Sequence, residues 1–457
     1  MEEADRFRKE QIEAIVNKYG VPNVGDDYDP NKNRNLEHPT NYIETLIHVI
    51  KGSLGTGIMA MPLVFKLCGY VNGFIFSVIV VIVASYGIHI YFDSQYKICK
   101  KLKTGYMPYP LIMKSAFLTG PYIFTKCANP MAITINIFMV SYQIGVCTSY
   151  IIFMSENIKD VYELNNPDSK IALELYMLML LVPIFIISSV PNMKLMAKFS
   201  LLSNLICFIA CAIMTKIMLH GEMPPVSKLN KTGEFLDTAV SCGIILFAIS
   251  AMAVLVQVEK YMKNPDHMVR WWGTLNVAMT IILLWYTFIG FLGYWKYGPN
   301  VKDAITLNLN ADNRAYCQTV QILLCIAIYI TYGLNAMVPV HILWDDYLSE
   351  RLAESKYKNW GVFIIRVFVV LLTMICAVSV PFFGDVLSLL GSFGMSAMEL
   401  IFPSFIHICV HWPDNLGFMK WILILDLLLA TVGVFGMISG TYGTILSIQK
   451  HLAELRG

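Results

Sequence analysis

Gly52-Ser-Leu-Gly-Thr-Gly-Ile-Met-Ala-Met-Pro62 lies inside the first long apolar segment of the chain, near residues 42–65. Its three closely spaced glycines, Gly52, Gly55 and Gly57, disfavour a continuous helix because glycine loses the most backbone freedom on ordering. Backbone that leaves helical geometry inside a membrane is tolerated only where it is buried in protein or lines a cavity. Secondary transporters bind substrates and ions at helices broken in this way. The stretch therefore predicts a membrane transporter with a broken first span.

The composition agrees with a membrane protein. The chain has 457 residues, of which 56% are hydrophobic and 14% charged, whereas soluble proteins carry about 25% charged residues. Its net charge of +2 gives no indication of a nucleic-acid partner. We predict an all-α polytopic protein with about eleven transmembrane helices, near 42–65, 70–92, 128–155, 171–190, 196–219, 236–257, 272–294, 315–340, 361–381, 386–410 and 418–445.

Lysine and arginine are enriched in the loops on the N-terminal side of this predicted topology, which indicates a cytoplasmic N-terminus. Residues 1–41 are predicted to be a cytoplasmic tail, 42–445 the transporter domain and 446–457 a short C-terminal tail. The sequon at Asn230 falls on the opposite side, so Asn230 is a predicted glycosylation site. The plasma membrane and the endolysosomal membrane both satisfy this orientation.

The predicted break offers complementary charges to a zwitterion. Free backbone N–H groups near Thr56 and Gly57, at the start of the second half-helix, would attract a carboxylate. Carbonyl groups at the end of the first half would suit an ammonium, and Ser53 and Thr56 add hydroxyls. An amino acid matches both ends. A plain kink without a ligand is the alternative, whereas a dinucleotide loop is excluded because no strand precedes it and the spacing is not G-x-G-x-x-G.

Ionisable residues inside membrane spans are costly and often functional. His48, about one turn before Gly52, is a candidate for proton coupling, because histidine exchanges protons near neutral pH. A neutral histidine bonded to a neighbouring helix is the alternative. Glu399 is either a second titrating group or a bonded structural acid. Asp426 is expected to reach the membrane interface, and polar residues such as Gln143 and Tyr332 either line a cavity or join helices.

Eleven spans are compatible with a five-plus-five inverted repeat, which places substrate between the first and sixth spans. The sixth span, near 236–257, contains Ser250 and other small residues but no proline or central glycine, so the sequence predicts no break there. No catalytic triad, metal-ligand spacing or phosphate loop is visible, and we therefore expect no enzyme activity and no cofactor.

The segment Thr45–Gly57, followed by Met61-Pro-Leu63 and Gly69, resembles the proton-assisted amino acid transporters of the amino acid and auxin permease group, and an insect-type member is indicated. The similarity extends from Thr40 to the C-terminus. It implies symport of small neutral amino acids with protons across a lipid bilayer, with His48 in proton coupling, and leaves protein partners unknown. The implied substrate-binding residues are Gly52, Ser53, Gly55, Thr56, Gly57, Gln143, Phe247, Ser250 and Tyr332.

The sixth span departs from the family pattern. Ala248-Ile-Ser-Ala251 stands where the family carries an acid and a glycine. This difference motivates a different class of function, an amino acid-sensing transceptor with little flux. A gated channel and an intramembrane enzyme are more distant alternatives.

Overall fold

A computed structural model describes the chain except for residues 1, 22–24, 26, 33–38, 54, 169–170, 191–192, 251, 310–313, 350–357, 414–415 and 457. The described residues are helical and contain no β-sheet, only two isolated bridges. The principal helices are α1 (Glu2–Tyr19), α2 (Tyr42–Ser53), α3 (Gly57–Cys68), α4 (Tyr70–Leu102), α5 (Tyr109–Thr119), α6 (Ala128–Asn165), α7 (Leu173–Ser188), α8 (Met193–Leu219), α9 (Phe235–Ile249), α10 (Met252–Lys260), α11 (Asp266–Val269), α12 (Thr274–Tyr297), α13 (Arg314–Leu343), α14 (Lys358–Ser379), α15 (Phe383–Leu389), α16 (Phe402–His411) and α17 (Trp421–Arg456). A π-helix over Leu390–Ile401 joins α15 to α16.

Eight of the described helices are long and apolar enough to cross a membrane, and the bent pair α2–α3 makes a ninth span. The apolar helices α7 and α9 have only 16 and 15 residues, which is shorter than the usual 17–25 residues of a span. They coincide with the fourth and sixth predicted spans. The all-helical membrane fold is confirmed, while the count of eleven remains a prediction.

The first span is broken where the glycines predict. Helix α2 ends at Ser53, α3 begins at Gly57, and the two axes differ by 61°.

The sixth span is also broken, which the sequence did not predict. Helix α9 ends at Ile249, Ser250 adopts φ −55° and ψ 118°, and α10 begins at Met252. The expectation of an uninterrupted sixth span is therefore wrong. The sequence at this break, from Ala248 to Met252, contains neither glycine nor proline.

The segment before the first span is joined to the segment after the sixth. The Thr40 amide donates to the carbonyl of Tyr261 at 2.8 Å, and the Lys263 amide donates to the carbonyl of Thr40 at 2.9 Å. The Tyr42 hydroxyl reaches the carbonyl of Trp272 at 3.0 Å. The N-terminal end of α2 and the C-terminal end of α10 are thus held side by side.

Helix α1 lies against the connection between α4 and α6. The Arg8 guanidinium donates to the carbonyls of Leu118 and, at 2.9 Å, Gly120, and Ile15 is buried. The N-terminal helix and this lysine-containing connection therefore lie at the same end of the bundle, which agrees with the predicted topology. The assignment of that end to the cytoplasm, and the three domain boundaries, remain predictions.

Candidate substrate site

The breaks of the first and sixth spans meet. A Cβ atom built on Gly57 would lie 2.6 Å from Ala248 Cα and 2.8 Å from its Cβ. Real Cβ atoms do not approach backbone so closely, so the first turn of α3 packs against the last turn of α9 only because residue 57 has no side chain. Both half-helix ends consequently open at one place in the bundle.

The backbone just before Gly57 is open on one side. Among the described residues, and apart from its chain neighbours, no atom would lie within 4 Å of a Cβ atom built on Gly55. The neighbouring Thr56 is buried, and its Oγ1 has no hydrogen-bond partner among the described residues. Buried hydroxyls are normally bonded, so Thr56 is available to a ligand in this space.

The C-terminal end of α2 is fixed by a contact with α12. Tyr286, fully buried on α12, donates its hydroxyl to the carbonyl of Ser53. The Ser53 hydroxyl donates back to the carbonyl of Val49 at 3.0 Å. Ser53 therefore shapes the break through its backbone, and its hydroxyl is already used within α2.

Glu399 reaches the break of the sixth span from the π-helix. Its side chain is 0% exposed, and Oε1 accepts a hydrogen bond from Ser250 Oγ at 2.5 Å. The backbone N–H of Met252, at the start of α10, lies beside the same carboxyl group. An acidic group at a helix N-terminus is stabilised by the unpaired N–H groups there. Glu399 thus holds both sides of the break.

The second oxygen of Glu399 is unusual. Oε2 is buried and has no hydrogen-bond partner among the described residues. An ionised carboxylate oxygen left unpaired away from water is costly, so this oxygen is a candidate site for binding a proton. Of the two readings of Glu399, the structure shows the bonds of a structural acid and leaves one oxygen free for exchange. The sequence shows an acid at residue 399 but gives no signal of its position beside the sixth span.

The aromatic wall of the site comes from α6 and α9. The rings of Tyr142 and Phe247 lie 6.3 Å apart, and Tyr142 packs against Gly394 of the π-helix. π-helical turns often occur at functional sites because they redirect side chains. Phe247 is therefore beside the break, as is Ser250.

Two predicted site residues are engaged elsewhere. Gln143 donates to Asn335, which joins α6 to α13. Tyr332 is fully buried, with its hydroxyl 2.8 Å from Thr373 Oγ1, which joins α13 to α14. Both contacts match the alternative in which polar residues hold membrane helices together. The hydrogen bonds of Gln143 and Tyr332 therefore do not involve the residues at the two breaks.

His48 lies on the exposed face of α2, opposite the buried residues Thr45, Val49 and Ser53. Among the described residues it has no hydrogen-bond partner, so the alternative of a histidine bonded to a neighbouring helix finds no support. Gly52 is also exposed. The proton-coupling role of His48 remains a prediction.

Two other sequence expectations concern residues outside the breaks. Asp426 is 0% exposed and its Oδ2 lies 2.7 Å from His407 Nδ1, so it is bonded inside the bundle, while its position at the membrane interface remains a prediction. Asn230 is exposed in the connection before α9, a position accessible to a glycosylating enzyme, and its glycosylation remains a prediction.

Two broken spans that meet beside an open backbone segment define a class of protein, the helical membrane transporters. The family model described as "Transmembrane amino acid transporter protein" matches residues 38–446. The chain therefore belongs to the transmembrane amino acid transporter family and is an integral membrane protein. This confirms the family indicated by Thr45–Gly57.

Individual relatives agree. The chain is 29% identical over 427 residues to the Drosophila melanogaster "Proton-coupled amino acid transporter-like protein pathetic", covering 93% of this chain and 89% of that protein. It is 24% identical over 443 residues to the Caenorhabditis elegans "Probable amino acid transporter skat-1", covering 93% of each. The solved structure "Inward facing conformation of Mhp1" has a similar fold, with a TM-score of 0.54 and 12% identity over 91% of this chain and 92% of that one.

Proposed function

We propose that the chain carries small neutral amino acids across a membrane together with a proton, by alternating access. The observation that carries this proposal is the meeting of the two broken spans at the open backbone of Gly55 and the unpartnered hydroxyl of Thr56. The names of the relatives, a proton-coupled amino acid transporter-like protein and a probable amino acid transporter, support the substrate class and the proton.

The half-helix ends suggest how a zwitterion would bind. Its carboxylate would face the N-terminus of α3, where Thr56 and Gly57 lie, because unpaired N–H groups and the helix dipole favour an anion there. Its ammonium would face the last carbonyls of α9 beside Phe247. The close approach of Gly57 to Ala248 and the aromatic wall of Tyr142 and Phe247 favour a small, uncharged side chain.

We assign proton exchange to two groups. Glu399 Oε2 is the candidate site for binding a proton, and its carboxyl group bonds directly to the break at Ser250. His48 is exposed on α2, the N-terminal half of the broken first span, and histidine is the side chain best suited to proton exchange near neutral pH. Protonation would remove the negative charge of Glu399 and weaken its attraction for the backbone N–H groups at the start of α10. Proton binding would thereby be coupled to movement of the sixth span.

The sensor alternative was motivated by the missing acid of the sixth span. Glu399 supplies a carboxyl group at that break from the π-helix, so the observation that favoured a sensor now favours transport. For the same function we propose a cytoplasmic N-terminus, glycosylation at Asn230, and residence in the plasma membrane or the endolysosomal membrane.

Uptake by cells that express the chain at the surface tests this function. We expect labelled glycine, alanine and proline to accumulate faster at about pH 5.5 than at about pH 7.5, because an acidic medium supplies the inward proton gradient that drives symport. The variant His48→Ala should lose most of the acid stimulation while reaching the surface normally. Uptake indifferent to pH would remove the proton from the proposal, and no uptake of any amino acid by the surface-expressed protein would favour the sensor.

A further inference from the structure

Three side chains of metal-ligand type converge where α4 meets α16. Asp93 lies on α4, and His407 and His411 lie one turn apart on α16. One ligand atom from each residue lies within 4.8 Å of the other two. The Nε2 atoms of His407 and His411 are 3.5 Å and 3.6 Å from Asp93 Oδ2. Ligand atoms around a tetrahedral Zn²⁺ are separated by about 3.3 Å, given bond lengths of about 2.0–2.1 Å. Two of the three separations are therefore close to those of a bound ion.

Hydrogen bonds on the far side of each ring orient the histidines. His407 Nδ1 donates to Asp426 Oδ2 at 2.7 Å, and His411 Nδ1 donates to the carbonyl of His407 at 2.9 Å. Because carboxylate and carbonyl oxygens only accept here, Nδ1 of each ring carries a hydrogen, and in the neutral ring the accepting lone pair is on Nε2. A carboxylate or carbonyl behind a ligating histidine is the usual second shell of a metal site.

Lys97 currently supplies the positive charge at this cluster. Its Nζ lies 2.7 Å from Asp93 Oδ2 and 2.6 Å from His411 Nε2. The lysine is long, flexible and 43% exposed, so a metal ion can displace it. Asp93 also lines a cavity of about 220 Å³, which gives a hydrated ion access to the carboxylate.

We propose that Asp93, His407 and His411 bind a divalent transition-metal ion of the zinc type, with Asp426 as the residue that positions His407. Two histidines and a carboxylate with an open fourth position form a common Zn²⁺ ligand set. A bound ion would join α4 to α16. If the proposed transport holds, this link would restrain two helices of the bundle and slow uptake.

Binding of Zn²⁺ to the purified full-length protein in detergent tests the site without reference to transport. Competition with a chromophoric chelator measures the affinity. We expect a single equivalent to bind, at least about tenfold more weakly in His407→Ala and His411→Ala, and about tenfold more weakly in Asp426→Asn. Lys97→Met should bind Zn²⁺ more tightly because the competing ammonium is gone.

A matched control and an alternative make the test decisive. His451→Ala removes a histidine from another histidine–aspartate pair, with Asp385 at 2.8 Å, and should leave Zn²⁺ affinity unchanged. If the cluster is instead a metal-free network, in which a doubly protonated His407 bridges Asp93 and Asp426, the wild type will retain no Zn²⁺ and Lys97→Met will gain no affinity.

A measurement on the wild type alone covers the case in which the variants do not fold. Co²⁺ bound at the proposed site should show the intense visible bands of a four-coordinate ion with nitrogen ligands. A spectrum like that of hydrated Co²⁺ would contradict the proposal. Loss of all amino acid uptake would leave this binding result unaffected, so the two proposals fail separately.

Discussion

Uptake of labelled amino acid by the variant Gly57→Ala is expected to fall at least about tenfold. The added Cβ would lie 2.6 Å from Ala248 Cα, and because the clash is with backbone, no side chain can turn aside to relieve it. Overpacking of a close contact costs about 1–3 kcal/mol, and each 1.4 kcal/mol is about a tenfold change in an equilibrium. The two breaks would be forced apart, and the site they form would open. Surface biotinylation should show that the variant still reaches the membrane.

Gly55→Ala is the matched control for this variant. It adds the same methyl group two residues earlier in the same break, but among the described residues, and apart from its chain neighbours, no atom would lie within 4 Å of that methyl. We expect normal folding and surface expression, with uptake reduced more for alanine and proline than for glycine because the methyl enters the proposed substrate space. Equal losses in Gly55→Ala and Gly57→Ala would contradict the contact between the first and sixth spans.

The variant Glu399→Gln is expected to abolish the pH dependence of uptake. A glutamine amide keeps an oxygen that accepts from Ser250 but cannot exchange a proton, so the break would stay in its protonated-like state at every pH. The rate of uptake should therefore be the same at every pH from acidic to neutral. Retention of the wild-type pH profile would exclude Glu399 from proton coupling.

Two further variants distinguish the role of the hydrogen bond between Glu399 and Ser250 from the role of proton exchange at Glu399. Glu399→Ala removes both, and we expect uptake at every pH to fall about tenfold because a buried hydroxyl and a helix N-terminus lose their partner. Glu163→Gln makes the same chemical change in an exposed ion pair with Lys159, at 3.8 Å, and should leave the pH profile unchanged. A flattened profile in Glu163→Gln would show that the effect is not specific to the break.

The first break could be predicted because its cause is local. Gly52, Gly55 and Gly57 lie within six residues, and their backbone preferences alone disfavour a helix there. The observed gap between Ser53 and Gly57 falls inside the predicted stretch. The apolar segments predicted the helices for the same reason, since length and hydropathy are properties of contiguous residues.

The second break could not be predicted because its cause is not local. The residues around Ser250 include no glycine or proline, and the contacts found at the interruption come from Glu399, 149 positions later, and from the backbone of Gly57 beside Ala248. Tertiary contacts of this kind override local propensity. A buried acid in the tenth predicted span was the only sequence signal, and its partner could not be read from spacing.

Polar residues inside spans were the least predictable part of the site. Gln143 and Tyr332 suited a cavity as well as a helix contact, and the structure pairs them with Asn335 and Thr373. Asp426 lay near the start of the eleventh predicted span, and it is fully buried beside His407. Each outcome depends on which face of a helix meets its neighbour, which periodicity cannot decide when nearly all positions are apolar.

The central claim is that amino acid substrate binds beside the open backbone of Gly55. Chemical labelling of Gly55→Cys with a small thiol reagent tests it most directly, with the wild type measuring the background from the native cysteines. We expect labelling that is specific to the variant and slowed by glycine or alanine, because a bound substrate would cover the new thiol. A thiol that does not react, or one whose labelling rate no amino acid changes, would contradict a substrate site at the break of the first span.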